Sequence, residues 1–160
     1  SRDKVFRGRL LVLADRDTLF AVLRKVLKEA TNVGFAGIEL VVDVGYGAQK
    51  VHLTDPQREQ LLLQQTASVP LNIWIQESGF RFGSESVLPC IGGRCRDWEQ
   101  YDEAGLRKAL KGALRKQADG ANIVLIPADG VPYEVLARTL GVIGFEVSAE
   151  MGESEIRLGL

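Results

Sequence analysis

Residues 128–150, ADGVPYEVLARTLGVIGFEVSAE, echo residues 14–42, ADRDTLFAVLRKVLKEATNVGFAGIELVV. Both stretches begin Ala-Asp, reach an aromatic where a helical pattern starts, and contain Gly-Phe after it. In the later stretch Tyr133, Leu136, Leu140 and Ile143 recur at the three-and-four spacing of one helix face. In the earlier one Leu19, Val22, Leu23, Val26, Leu27 and Ala30 do the same. Asp17 or Thr18 offers an N-cap oxygen for the first helix. Pro132 sits in the first turn of the second, where its missing N–H costs nothing. Aligning the echoes sets Ala14 with Ala128, Asp15 with Asp129, Phe20 with Tyr133, Leu23 with Leu136, and Gly34-Phe35 with Gly144-Phe145. This shared opening and ending reads as an internal duplication.

Short apolar runs precede both helices, RLLVL at 9–13 and NIVLI at 122–126, and read as buried strands. After the first helix, which is expected to stop at Gly34, residues 38–44 and 50–53 predict a hairpin around Gly45-Tyr46-Gly47. After the second, expected to stop at Gly144, residues 145–150 and 155–158 predict the same strand, turn and strand. Between the copies, LNIWIQ at 71–76 alternates like a strand, and Ser78-Gly79 turns it into another at 80–82. Residues 87–97 read as an irregular loop. Residues 102–117 predict a helix with Leu106, Ala109, Leu110, Ala113 and Leu114 inside and Arg107, Lys108, Lys111, Arg115 and Lys116 mostly outside.

The expected fold is therefore α+β in two layers, with helices 18–33, 102–117 and 131–143 on one face of a mixed sheet. Residues 1–56 form a partial repeat, 57–70 a polar, Gln-rich linker, and 71–160 the complete unit. Each copy is expected to end in an edge strand, and 155–158 carries few charges to protect it. Ile156, Arg157 and Leu158 are thus candidate partner contacts by strand addition. Trp74 and the basic helix around Lys108 and Lys111 are the others.

A hydrophobic fraction of 46% with 26% charged residues is that of a soluble globular chain. A formal net charge of -1 gives no basic footprint for nucleic acid. The apolar runs are far shorter than the roughly 20 residues of a membrane helix, and no signal peptide is legible. There is 1 histidine, and the usual nucleophile, phosphate-loop and zinc motifs are missing, so no catalytic residue, cofactor or metal site is expected. Gly45-x-Gly47 lies between two strands and cannot open a helix on a dinucleotide. Asp15 and Asp17 read as helix caps, His52 as a surface residue of an edge strand, and Trp98 as a packing residue. Cys90 and Cys95 flank a Gly-Gly turn, for which a disulfide is the first expectation, two free thiols the second and half a metal site the last. The first of these points to an oxidising compartment.

From residue 71 to 158 the order of strand, hairpin, helix and then NIVLIPADGVPYEVLARTLGVIGF resembles the periplasmic domain of the ExbD/TolR family of biopolymer-transport proteins. The motif residues are Ala128, Asp129, Pro132, Tyr133, Gly144 and Phe145. Read physically, Asp129 caps the helix, Pro132 presets its first turn, Tyr133 packs it on the sheet and Gly144 lets the chain reverse. The resemblance departs where the cysteine loop is inserted, where Thr18-Leu19-Phe20 replaces Pro-Tyr, and where the first copy lacks a leading hairpin and helix. It implies a non-enzymatic role at the periplasmic face of the inner membrane, in envelope transport or motility. An N-terminal helix, expected upstream of Ser1, would meet an ExbB-, TolQ- or MotA-like proton channel. The domain would pass work to a TonB- or TolA-like protein or to peptidoglycan, with homodimerisation a further expectation. Two copies in one chain would mimic the family dimer. The competing reading is a peptidoglycan- or glycan-binding module without a motor.

Overall fold

The structure, a computed structural model, describes residues 10–35, 37–40, 49–54, 71–83, 86–116, 122–151 and 155–160. They form β1 (Leu10–Val12), α1 (Phe20–Val33), β2 (Gly37–Leu40), β3 (Gln49–Thr54), β4 (Leu71–Gln76), β5 (Gly79–Phe82) and β6 (Ser86–Pro89). A short 3₁₀ turn (Trp98–Gln100), α2 (Glu103–Arg115), β7 (Asn122–Pro127), α3 (Tyr133–Met151) and β8 (Glu155–Gly159) complete the order. The protein is a mixed α/β structure in which the strands share one mixed sheet, ordered β1-β2-β3-β8-β7-β4-β5-β6. The 57–70 linker lies outside the described residues, but the segments on either side of it are joined by parallel pairing of β3 with β8.

Strand register separates the two faces of this sheet. Ile73 lies opposite Phe82 and Leu125, Ile75 opposite Phe80, Ile123 opposite Ile156, and Leu125 opposite Leu158. Together with Val12 and Leu40 these residues enter one core with Phe20, Leu23 and Leu27 of α1, Leu106, Leu110 and Leu114 of α2, and Leu136, Leu140 and Ile143 of α3. The sheet residues of this core all lie on one face. The intervening residues, Leu11, Asn72, Trp74, Arg81, Val124, Ile126 and Arg157 among them, lie on the other.

Local chemistry explains where two of the helices end or begin. Gly34 closes α1 in the left-handed region at φ 110, its N–H reaching the carbonyls of Ala30 and Thr31. Asp102 starts α2 by accepting the Gly105 N–H at 2.9 Å. The N-terminus of α1 is built otherwise, because neither Asp17 nor Thr18 caps it. Leu19 holds the N-cap position without a side-chain bond. Instead Phe20 N–H donates to the Val131 carbonyl at 2.8 Å and Ala21 N–H to that of Asp129 at 3.1 Å. In return Tyr133 N–H donates to the Thr18 carbonyl at 2.7 Å and Glu134 N–H to that of Arg16 at 3.0 Å. Leu19 and Pro132 form the antiparallel bridge at the centre of the exchange. Phe20 stands to Val131 as Tyr133 stands to Thr18, and Ala21 to Asp129 as Glu134 to Arg16.

Three expectations are corrected in the second half. Gly144 does not end a helix, because α3 continues through it to Met151. Residues 145–150 are therefore helical, and no hairpin follows as it does between β2 and β3. Above all, β8 is no edge. It lies between β3 and β7, both parallel to it, and Ile156 and Leu158 are buried against the helices. The expected strand addition at Ile156, Arg157 and Leu158 has no free backbone to use. β3, which carries His52, is interior for the same reason. The edges among the described residues are β1 and β6, and most of β6 overlaps the stretch at 87–97 expected to be irregular.

Candidate functional site

The carboxyl ends of β4 and β7 are where an open α/β sheet ordinarily offers a crevice. Here that end is filled by chain. The Ala128–Asp129 turn is tied to β4 by Ala128 N–H donating to the Ile75 carbonyl at 2.8 Å. The Asp129 side chain pairs with Arg24 of α1 instead of capping α3. Arg16 reaches Glu134 at 2.8 Å, and this hydrogen bond raises the Arg16 pKa above its ordinary value. Helix N-termini attract anions through unpaired amides. At α1 and α3 the leading amides are already donated to carbonyls of the opposite half. This end is a bracket between the halves of the chain.

Beside it sits the cysteine loop. Cys90 and Cys95 stand at disulfide distance with their Cα atoms 5.5 Å apart, the geometry of the first of the three alternatives. Closing so small a loop removes about 2 kcal/mol of unfolded-state entropy. The loop is docked on the β4–β5 turn. Cys95 N–H donates to the Glu77 carbonyl at 2.8 Å and Cys90 N–H to that of Ser78 at 3.1 Å, and Arg94 pairs with Glu77. Gly79 permits this approach, since its φ is 129 and a Cβ there would strike the Leu88 carbonyl. Underneath, Phe80 packs on Tyr101 with centroids 5.0 Å apart and edge-on to Trp98 at 6.2 Å. The Tyr101 hydroxyl donates to the Gln76 carbonyl at 2.8 Å.

Burial pushes the Tyr101 phenol up from 10.0 to about 12, helped by the charge of Glu77, and burial raises Tyr133 as well. The unfolded chain ionises first. The stability these phenols contribute is therefore complete below about pH 10 and is lost as the pH climbs towards about 12. Urea midpoints should fall across that window, and less steeply in Tyr101→Phe. Parallel profiles for the two proteins would contradict this assignment.

The residues expected to meet partners fall in three places. Ile156 and Leu158 point into the core. Trp74 and Arg157 share the sheet face opposite the helices, on strands separated by β7. There the Arg81 guanidinium lies over the Trp74 ring at 4.3 Å, and Val124 is buried although it belongs to the face away from the main core. Lys108 and Lys111 lie exposed on α2, but Lys111 is committed to Glu146 of α3 at 3.9 Å.

That carboxylate was missed because its neighbourhood was read as a strand. Glu146 is 2% exposed and accepts from Arg107 at 3.1 Å, while Arg107 also holds Glu103 at 3.0 Å. Read with a helical period, Glu146 lies one turn beyond Val142 on a buried face, and an acid there calls for a basic partner on the facing helix. Among the described residues no group of acids, histidines and cysteines is placed to hold a metal, and no helix is long and apolar enough to cross a membrane. Compared with family models, curated proteins and solved structures, the chain matches none.

Proposed function

We propose that this chain is a non-enzymatic coupling domain of the ExbD/TolR type, built from two copies of one strand–helix–strand unit. In this reading it stands in the periplasm and passes work from an inner-membrane proton channel to an envelope partner. The observation that carries it is the reciprocal exchange at the helix N-termini. Phe20 and Ala21 receive from the Ala128–Val131 turn what Tyr133 and Glu134 receive from the Arg16–Thr18 turn. Such an exchange is what two copies of a unit make when they meet about a two-fold axis. The strand–helix–strand order of β1-α1-β2 and β7-α3-β8, each with adjacent parallel strands, agrees with it. The order of the β4–β5 hairpin, α2, β7 and α3 agrees with the strand, hairpin, helix, strand and helix of the resemblance, which it leaves at Gly144-Phe145, inside α3.

The test is photocrosslinking in the native host, with Trp74 replaced by a photoreactive amino acid and with or without a protonophore. A coupling domain is expected to crosslink to an envelope protein in a pattern that changes when the proton gradient collapses. The same protein solubilised in mild detergent should bring down a multi-spanning channel subunit. Crosslinks indifferent to the gradient, with the chain sedimenting on isolated cell-wall sacculi, would replace this reading with that of a glycan-binding module.

A further inference from the structure

The bracket at the helix N-termini also sets α1 and α3 in a common register. Val22, Val26, Glu29 and Val33 of α1 then correspond to Val135, Thr139, Val142 and Glu146 of α3. The two flanks are treated very differently. Val135, Thr139, Val142 and Glu146 are 1%, 0%, 0% and 2% exposed. What covers the last of them is α2, through Arg107 and Lys111 on Glu146. On α1 the corresponding Val22, Val26 and Val33 are 56%, 51% and 68% exposed.

The sheet beneath repeats the contrast. β7 has β4 on the side away from β8, with the lead-in to α2 above it, since Tyr101 reaches Gln76 and packs on Phe80. β1 ends the sheet on the side away from β2 among the described residues; Leu11 within it and Leu13 just after it are exposed. A strand that is an edge among the described residues and an exposed apolar helix flank thus lie on the same side of the first half, where the second half has a strand and a helix.

We infer that this side is an interface for a second copy of the chain, with β1 meeting β1 antiparallel about a two-fold axis and the α1 flanks packed together above. The spacing fits. α1 links β1 to β2 and shares its core with Val12 and Leu40. Continuing the sheet through two β1 strands sets the two helices about two strand spacings apart, roughly 9.6 Å. Helices pack at about 8–10 Å. The charges fit as well. Lys25 and Glu29 lie exposed on the solvent side of the valine stripe. Antiparallel helices place Lys25 of one copy beside Glu29 of the other, and the symmetry makes the pair twice. The valines supply the apolar centre and these ion pairs the polar rim of an isologous contact. Such an interface is independent of the proposed coupling role.

Sedimentation equilibrium of the chain, from about 1 to 200 μM, is expected to show twice the mass of one chain at the upper end. Val22→Glu with Val26→Glu should raise the dimer dissociation constant about thirty-fold or more while leaving circular dichroism unchanged. If that double variant misfolds, the charge variants carry the test. Lys25→Glu alone sets like charges together and should weaken the dimer about five-fold. Lys25→Glu combined with Glu29→Lys restores the opposite-charge pair across the axis and should recover the wild-type constant. A wild-type chain that stays monomeric at 200 μM overturns the proposal. So does a dimer indifferent to Lys25→Glu, or a charge swap that fails to recover.

Discussion

Ile156→Pro is expected to unfold the protein, with a loss of at least about 3 kcal/mol in urea denaturation at neutral pH. Proline in a strand removes a ladder donor and forces its ring into the space of the neighbouring strand, which a sheet tolerates only at an edge or a bulge. β8 has β3 on one side and β7 on the other, so neither side of the backbone is free. The substitution also deletes most of a side chain that is 7% exposed and packed in the main core. Loss of a buried aliphatic of this size costs about 2–5 kcal/mol by itself. The same substitution on a free edge would have left the fold standing. A cooperative urea transition within about 0.5 kcal/mol of wild type would show that β8 is not where the sheet order places it.

The second large effect is expected at Arg107. Replacing it by alanine leaves the Glu146 carboxylate, 2% exposed, with Lys111 at 3.9 Å and little else in the way of charge. Breaking a buried pair from one side costs about 3–5 kcal/mol, because the remaining charge has lost both water and partner. Removing both charges is a different matter. Arg107→Leu with Glu146→Met fills the α2–α3 contact with apolar groups and should recover most of the loss. Urea midpoints of the single and double variants measure the difference directly. An Arg107→Ala protein as stable as wild type would mean that the Arg107–Glu146 pair contributes nothing net to the fold.

The partner of Arg107 lies in the part of the chain whose local pattern misleads most. The stretch FEVSAE at 145–150 alternates apolar and polar residues with a period of two, which is why it reads as a strand. Its helical state depends on Glu146 finding Arg107 on α2, some forty positions away in sequence. Gly144 is a second case. Glycine stops a helix when the chain enters the left-handed region, as Gly34 does at φ 110. Gly144 stays inside α3 because the residues beyond it bury Glu146 and Val147.

What the sequence determined by itself was everything set by neighbours a few residues apart. The helical periods of α1 and α2, the stop at Gly34, the β4–β5 hairpin and the pairing of Cys90 with Cys95 appear where they were expected, although Leu19, Val22 and Val26 of the α1 stripe stay exposed. The tertiary structure alone decided strand order, and with it the fate of the partner residues. A strand of Glu-Ile-Arg-Leu-Gly has the same local preferences at an edge as in the middle of a sheet, so nothing within it tells Ile156 that β3 will arrive beside it. The same is true of the N-terminus of α1. Asp17 and Thr18 have the chemistry of caps, but carbonyls from Asp129 and Val131 reach Ala21 and Phe20 once the halves dock, and a helix needs its leading amides bonded only once.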